Sequence, residues 1–480
     1  MAFIIVFLGH CVKSSQNFLG QSPSWLWGVG LAFLLAGCGG RGGLPCIESS
    51  RSEVEDADTI AEPFDNLQVQ VGVDASESMQ GFVSRPGGRY SQAIASLHTL
   101  LQNKSVPTTY WRVGSNAQVN AAQKISANQF LAASKLPFYC QRNGESPEYP
   151  CVSSTLGQFY QLSSPTTIPS PQAGEEAEEP ETTKQPQNLK ILLTDLEPDN
   201  AAVGQISGLI TAELKSNPNY KAVLVGVRSQ FQGNVYSANA SFPPFAYDTT
   251  GQDVDQKGRP FFILITGPET TVDELVRQFR LLPLDVNKAF RTSTFQQGER
   301  SAVTLDNSPF QGVVKNCLEQ VGMVDGQRPN GDQEGDWLMI EEDSECTTKK
   351  GNSLELKIPS KNTVMLTGGE LTPDLFEVSD PSLVKVKAAQ IEQNSTKEDT
   401  RLQLTLGFDG EKLNAKDGKL IYVTLLDRNL DQAVWQDWDM DIGQPEGSKT
   451  QNLRLFVSGL RQAMGQEQNA VKFCLGYGRY

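Results

Sequence analysis

Apolar positions keep two different periods along the first half of the chain. Leu67, Val69, Val71 and Val73 alternate with Gln68, Gln70 and Gly72, the pattern of a strand with two unlike faces. After a Gly/Pro loop at Arg85–Gly88, Tyr90, Ile94, Leu97 and Leu101 fall at helical spacing, and Thr109–Val113 reads as a second strand. Val152–Gly157 leads into a short helix. Leu189–Thr194 is an apolar run, followed by a helix carrying Val203, Ile206, Leu209, Ile210 and Leu214. Ala222–Val227 is apolar throughout, which reads as a central strand of a parallel sheet. Residues 229–259 hold Gly, Pro and Asp turns and read as a hairpin insertion. Phe261–Thr266 is one more buried strand, and Thr271-x-x-Glu274 offers a capping box to a helix with Val272, Leu275, Val276 and Phe279. Strands alternating with helices over residues 65–283 predict a doubly wound, mostly parallel α/β domain.

From residue 284 the texture changes. Ser353–Ile358, Thr363–Leu366, Leu402–Leu406 and Leu420–Leu426 are strand-like runs, and Ala470–Leu475 closes the series. One amphipathic helix stands out, with Leu453, Phe456, Val457, Leu460 and Met464 on one side. Residues 284–480 are therefore expected to form a smaller β-rich domain, a sandwich with one packed helix. A chain of 480 residues exceeds one ordinary core, which agrees with two domains plus tails.

Two stretches fall outside this patterning. Ser163–Asn188 holds five prolines, among them Pro165, Pro169 and Pro171, five Glu between Glu175 and Glu181, and no aromatic residue. It cannot bury enough surface to offset ordering and reads as a disordered acidic loop inside the first domain. Residues 38–64, rich in Gly, Ser and acids, read as a flexible tether. The formal charge of −15 argues against nucleic acid as a partner.

Trp25–Ala36 is apolar but shorter than the roughly 20 residues a bilayer-spanning helix needs. Its length is that of a signal-peptide core. It runs into Leu35-Ala36-Gly37-Cys38, which resembles a bacterial lipobox. The resemblance implies a lipoprotein signal peptide over residues 1–37, lipidation of Cys38, and a cell-envelope protein anchored to a membrane facing the periplasm or exterior. The segment before the apolar core is longer than the pattern and carries Lys13 as its one firm positive charge. With Cys38 on lipid, the mature chain keeps Cys46, Cys140, Cys151, Cys317, Cys346 and Cys474. An even number in an exported protein suggests disulfides. Cys140 with Cys151 and Cys317 with Cys346 are the local pairs, leaving Cys46 and Cys474 as a clasp, although the connectivity stays open.

The strand at Leu67–Val73 runs into Asp74-x-Ser76-x-Ser78. A carboxylate and two hydroxyls at alternate residues converge where a chain turns off a strand, and hard, weakly charged oxygen ligands suit Mg²⁺. The pattern resembles the metal-ion-dependent adhesion site of von Willebrand factor type A domains. In that family a second loop gives a threonine and a third a Thr-Asp-Gly. Setting Gly157 against the family's helix-starting glycine places Ser154 at the threonine position, with Thr155 one step off. Asp195 matches the aspartate, while Leu196 stands where the glycine is usual, bringing Glu197 or Asp199 towards the cation. The resemblance implies Mg²⁺ or Mn²⁺ held by Asp74, Ser76, Ser78, Ser154 or Thr155, and Asp195. It also implies a protein partner offering an acidic side chain, with the cation as a recognition element.

Other motifs weigh less. Gly443–Thr450 resembles a phosphate-binding loop but has Ser448 at the second glycine position. Asp437–Asp441 hints at a calcium loop that lacks its turn glycine and closing glutamate. Trp435 and Trp438 suggest either a ligand platform or packing. His98 is the one histidine beyond residue 37 and sits beside a helical stripe, which leaves a hydrolase without a well-placed base. The functional expectation is a membrane-anchored binding module, not an enzyme. The alternatives are a structural envelope lipoprotein with idle metal loops, or an exported hydrolase.

Overall fold

The computed structural model describes residues 64–119, 122–139, 149–162, 186–197, 200–236, 243–281, 290–297, 319–321, 337–340, 353–359, 371–393, 400–408, 419–440, 445–465 and 469–479. The signal peptide, Cys38, nearly all of the tether, residues 163–185 of the acidic loop, the strand expected at Thr363–Leu366, and Cys46, Cys140, Cys317 and Cys346 lie outside these ranges.

Strand β1 (Leu67–Asp74) is followed by α1 (Arg89–Asn103), β2 (Thr108–Val113), β3 (Gln123–Ile125), α2 (Ala127–Ala132), α3 (Gly157–Gln161), β4 (Gln187–Thr194), α4 (Asn200–Ser216) and β5 (Tyr220–Ser229). The hairpin β6 (Gln232–Val235) and β7 (Phe245–Asp248), the short α5 (Val254–Lys257), β8 (Arg259–Pro268), α6 (Glu269–Leu281) and β9 (Phe290–Gln296) come next. The alternating faces of the strands dictate the layers. Val69, Val71, Ile191, Val223, Val225, Ile263 and Ile265 share one hydrophobic cluster with α1 and α6. Leu192, Leu224, Phe262 and Leu264 face the opposite cluster, with Phe159 of α3 and Ile206 and Ile210 of α4.

The protein is mixed α/β, with a seven-stranded sheet in the order β3-β2-β1-β4-β8-β5-β9. Only the β2–β1 and β1–β4 pairings are parallel; β3 runs against β2, β8 against both β4 and β5, and β9 against β5. The apolar run at 222–227 is thus an interior strand beside the edge strand β9, between two antiparallel neighbours, and not a central strand of a parallel sheet. The physical reason lies in residues 230–258. A parallel return needs a crossover of a dozen or more residues, usually helical. Here the insertion folds on itself as β6–β7, with only the four-residue α5 after it. The chain stays at one edge of the sheet and β8 runs back between β4 and β5.

Helix α6 begins at Glu269, so Thr271 is a buried residue of its first turn rather than its cap, and Glu274 binds Arg277 and Gln278. Residues Gln187 and Asn188, assigned above to the acidic loop, begin β4.

Beyond β9 the chain forms β10 (Glu319–Val321), β11 (Trp337–Ile340), β12 (Ser353–Pro359), β13 (Phe376–Val378), β14 (Val384–Gln393), β15 (Thr400–Phe408), β16 (Lys419–Leu426), α7 (Asp427–Trp435), β17 (Asp439–Met440), β18 (Thr450–Gln451), α8 (Leu453–Met464) and β19 (Asn469–Arg479). These strands make a five-stranded sheet β10-β11-β19-β16-β13, a three-stranded sheet β12-β15-β14, and a β17–β18 pair. Two helices, not one, pack here. Helix α8 lays Leu453, Phe456, Val457 and Leu460 into the cluster that covers α4 and the sheet. Helix α7 buries Leu430, Val434 and Trp435. Trp435 and Trp438 are fully buried and leave Gly226 of β5 no room for a side chain, since a Cβ there would come within 3.0 Å of both rings. Their role is packing. Among the described residues no helix is long and apolar enough to cross a membrane.

Candidate functional site

Three segments meet at the ends of β1 and β4. The first is the turn off β1. Asp74 is fully buried; its Oδ1 accepts the backbone N–H of Ser76 at 3.0 Å, and the Ser76 and Ser78 hydroxyls lie 3.1 Å apart. The turn continues into a short 3-10 helix at Glu77–Phe82.

The second segment is Tyr149–Leu156. Arg112 of β2 donates to the carbonyls of Phe138 and Pro150 and stacks over Phe138 and Tyr149. Ser153 exchanges backbone hydrogen bonds with Ser115, and Val152 bridges Ser76. Phe159 of α3 packs against β1 where Gly72 leaves room, since a Cβ there would meet its ring at 2.8 Å. Held this way, Ser154 donates its hydroxyl to Asp74 Oδ2 at 2.9 Å. The Thr155 hydroxyl instead donates to Gln158 Oε1, so of the two candidate hydroxyls Ser154 joins Asp74. Cys151, within this segment, is disulfide-bonded. Cys474 lies in β19.

The third segment ends β4. Thr194, which the sequence reading passed over, donates to Asp74 Oδ2 at 2.9 Å and accepts the N–H of Leu196 at 3.1 Å. A threonine immediately before the matched aspartate was the available signal. Leu196 sits at φ 51°, the left-handed region that costs a non-glycine residue roughly 1–2 kcal/mol. Its side chain is 2% exposed within the α4-side core. The backbone thus takes the conformation a glycine would take freely, and core packing holds it there. Such strain concentrates at functional sites.

Asp195 is 1% exposed, and its Oδ2 has no hydrogen-bond partner. Arg259, at the start of β8 and with no exposed surface, places Nη2 at 3.8 Å from that oxygen and 2.8 Å from Glu197 Oε2. Burial and the neighbouring Asp195 charge push the Asp74 carboxyl up to about 6, against the pull of its bonds from Ser76 and Thr194. Burial pushes Glu197 up to about 7; Arg259 opposes this and Asp195 adds to it. Of the three buried carboxyls, Asp195 and Glu197 share the Arg259 guanidinium, and Asp74 meets hydroxyls and a backbone N–H. Burial makes the charged forms of Asp74 and Glu197 costly, which a nearby divalent cation would relieve.

Among the described residues no three His, Cys, Asp or Glu side chains group tightly enough to hold a metal alone. A cation between Asp74 and Asp195 would draw on Ser76, Ser78 and Ser154 and on waters, a donor set of hard oxygens that suits Mg²⁺. The orphaned Asp195 Oδ2 fits that use, because a buried lone oxygen without a partner is otherwise costly.

The other candidate groups go elsewhere. His98 Nδ1 pairs with the Tyr110 hydroxyl at 2.9 Å, and its ring packs near Phe130. Asp437 and Asp439 pair with Arg291 and Arg454. The carbonyls of Gly447, Ser448 and Lys449 accept from Arg259 and Arg228, whereas a phosphate cradle needs inward N–H groups. Compared with protein-family models, curated proteins and solved structures, the chain matches none.

Proposed function

We propose that this protein is a lipid-anchored extracytoplasmic binding module that uses a divalent cation, Mg²⁺ or Mn²⁺, to grip an acidic group on a protein partner. The carrying observation is the convergence of three strand-end segments on Asp74, beside a buried Asp195 oxygen with no hydrogen-bond partner. The order of these segments, and helices on both faces of the sheet, support a doubly wound relative of von Willebrand factor type A domains in which the antiparallel β8 is a departure. Asp74 and Asp195 would hold the cation, and Ser76, Ser78 and Ser154 would complete its shell. Two carboxylates balance the ion's charge and leave it attractive to one more anionic oxygen. Asp199 and the Cys38 anchor belong to the same proposal.

A structural role for a purely polar rim is the second reading. Near-complete burial of Asp74 and Asp195 favours it, because a partner's carboxylate must reach the ion. Thermal unfolding with and without millimolar Mg²⁺ or Mn²⁺ separates the two. The binding reading expects a cation-dependent rise in midpoint that Asp74→Asn abolishes. No response in the wild-type protein would leave the structural reading standing.

A further inference from the structure

Arg259 is shared between two clients. One edge of its guanidinium faces Asp195 and Glu197; from the other, Nη1 donates to the carbonyls of Gly447 at 3.2 Å and Lys449 at 3.4 Å. The Phe231 ring lies 5.2 Å from Cζ, and the residue has no exposed surface. No water shell screens this charge. The segment it grips, residues 445–451, is also tied to the rest of the fold by the β17–β18 pairing, by the Thr450 N–H on the Trp438 carbonyl and by Lys257 on Glu446. Arg228 donates to the Ser448 carbonyl, and Gly447 lies so close to the Tyr247 ring that a Cβ would fall 2.1 Å from it. Tyr247 belongs to the hairpin β6–β7, which packs against the 3-10 helix that carries Ser78 through Gly81, Gly233 and Phe231.

We infer that Arg259 is a resident counter-cation of the strand-end centre, so that a divalent cation at Asp74 and Asp195 and the Arg259 grip on residues 445–451 oppose one another. The inference rests on the cation reading above and gives it a regulation. At 3.8 Å the guanidinium compensates the Asp195 charge without bonding Oδ2, because that separation is beyond hydrogen-bond reach. The oxygen is thus neutralised yet free to ligate. A cation that takes it removes the attraction holding Arg259 from that side and sets a like charge nearby in a dry interior. Arg259 then keeps only Glu197, and its contacts with Gly447 and Lys449 weaken. By linkage the effect is reciprocal: whatever tightens residues 445–451 on Arg259 lowers cation affinity by the same factor.

Calorimetric titration of the full chain with Mn²⁺ and Mg²⁺, paired with amide hydrogen exchange, tests this. In the wild-type protein, saturating cation should speed exchange at residues 447–451 severalfold. Arg259→Met should bind the cation on the order of tenfold more tightly and lose the cation-dependent exchange. Arg259→Lys keeps the charge without the planar fork, so its affinity should stay within about threefold of wild type. If Arg259→Met does not fold, the wild-type exchange and the lysine variant decide. Wild-type binding with unchanged exchange, equal or weaker affinity in Arg259→Met, or a larger shift in Arg259→Lys overturns the inference and leaves the metal reading intact. Absence of binding in every variant overturns both. Binding in Arg259→Met but not in wild type supports the inference most strongly.

Discussion

The seven-stranded sheet has two unlike halves that meet between β4 and β8. On one side β2, β1 and β4 run parallel and deliver hydroxyls and carboxylates at their C-terminal ends, where ligands bind in open α/β sheets. On the other side β8, β5 and β9 alternate in direction, so the start of β8 lies beside the end of β4. That reversal brings Arg259 to Asp195 and Glu197. Had β8 run parallel to β4, its first residue would lie at the far edge of the sheet. The parallel half therefore supplies the oxygens, and the antiparallel half supplies the cation that balances them.

The largest expected contrast is between removing a charge from each half. Arg259→Met leaves Asp195 and Glu197 buried without their counter-charge. Breaking a buried pair in this way costs about 3–5 kcal/mol, read by urea unfolding of metal-free protein at pH 8. Asp74→Asn removes a carboxylate that Asp195 repels; its amide oxygen still accepts the Ser76 N–H, and the lost Oδ2 acceptor for the Ser154 and Thr194 hydroxyls offsets that relief. Its stability should stay within about 1 kcal/mol of wild type. Equal losses in the two variants would erase the distinction between the halves.

Unequal legibility in the sequence follows from the same division. Asp74, Ser76, Ser78 and Asp195 were readable because each stands at the end of a strand that its own residues announce. Ser154 and Thr155 could not be separated, since the choice depends on Arg112 and Ser115 fixing the backbone of the second segment. Arg259 was illegible. It opens the apolar run Arg259–Thr266, and nothing within that run says which way the strand points. The clue lay outside it, in residues 230–258, which carry turns and a hairpin but no helix long enough for a crossover. In the C-terminal half, α8 was legible from its apolar stripe. Helix α7 was not, because its nine residues directly follow β16 and give little room for a period to show.

Acidification sharpens the comparison by a middling amount. The folded-state values of about 6 for Asp74 and about 7 for Glu197 lie above the ordinary 3.8 and 4.5. Folding therefore takes up protons, and the stabilisation that comes with them is full below the ordinary values and lost as pH rises through the folded ones. Between pH 8 and pH 5.5 these two groups should add on the order of 2–3 kcal/mol to the metal-free protein. If the proposed cation binds, protons compete with it for the same oxygens, so the increment from Mg²⁺ should be larger at pH 8 than at pH 5.5. Asp74→Asn should shrink the pH response, leaving the share of Glu197. A metal-free protein that loses stability on mild acidification would contradict the crowding of buried carboxyls at the junction of the halves.

The smallest expected effect concerns the backbone that ends the parallel half. Leu196 holds φ at 51° with its side chain in the core. Truncating it loses apolar packing in either variant, about 2–5 kcal/mol for leucine to alanine. Alanine keeps a Cβ in the left-handed region, whereas glycine has none to clash there. Leu196→Gly should therefore be more stable than Leu196→Ala by about 1 kcal/mol, the reverse of the order at an ordinary position, where alanine gains about 0.4–1 kcal/mol over glycine. Paired denaturation curves of the two variants measure the difference directly. An alanine variant as stable as the glycine variant would mean that the turn carrying Thr194 and Asp195 is not held in the left-handed conformation.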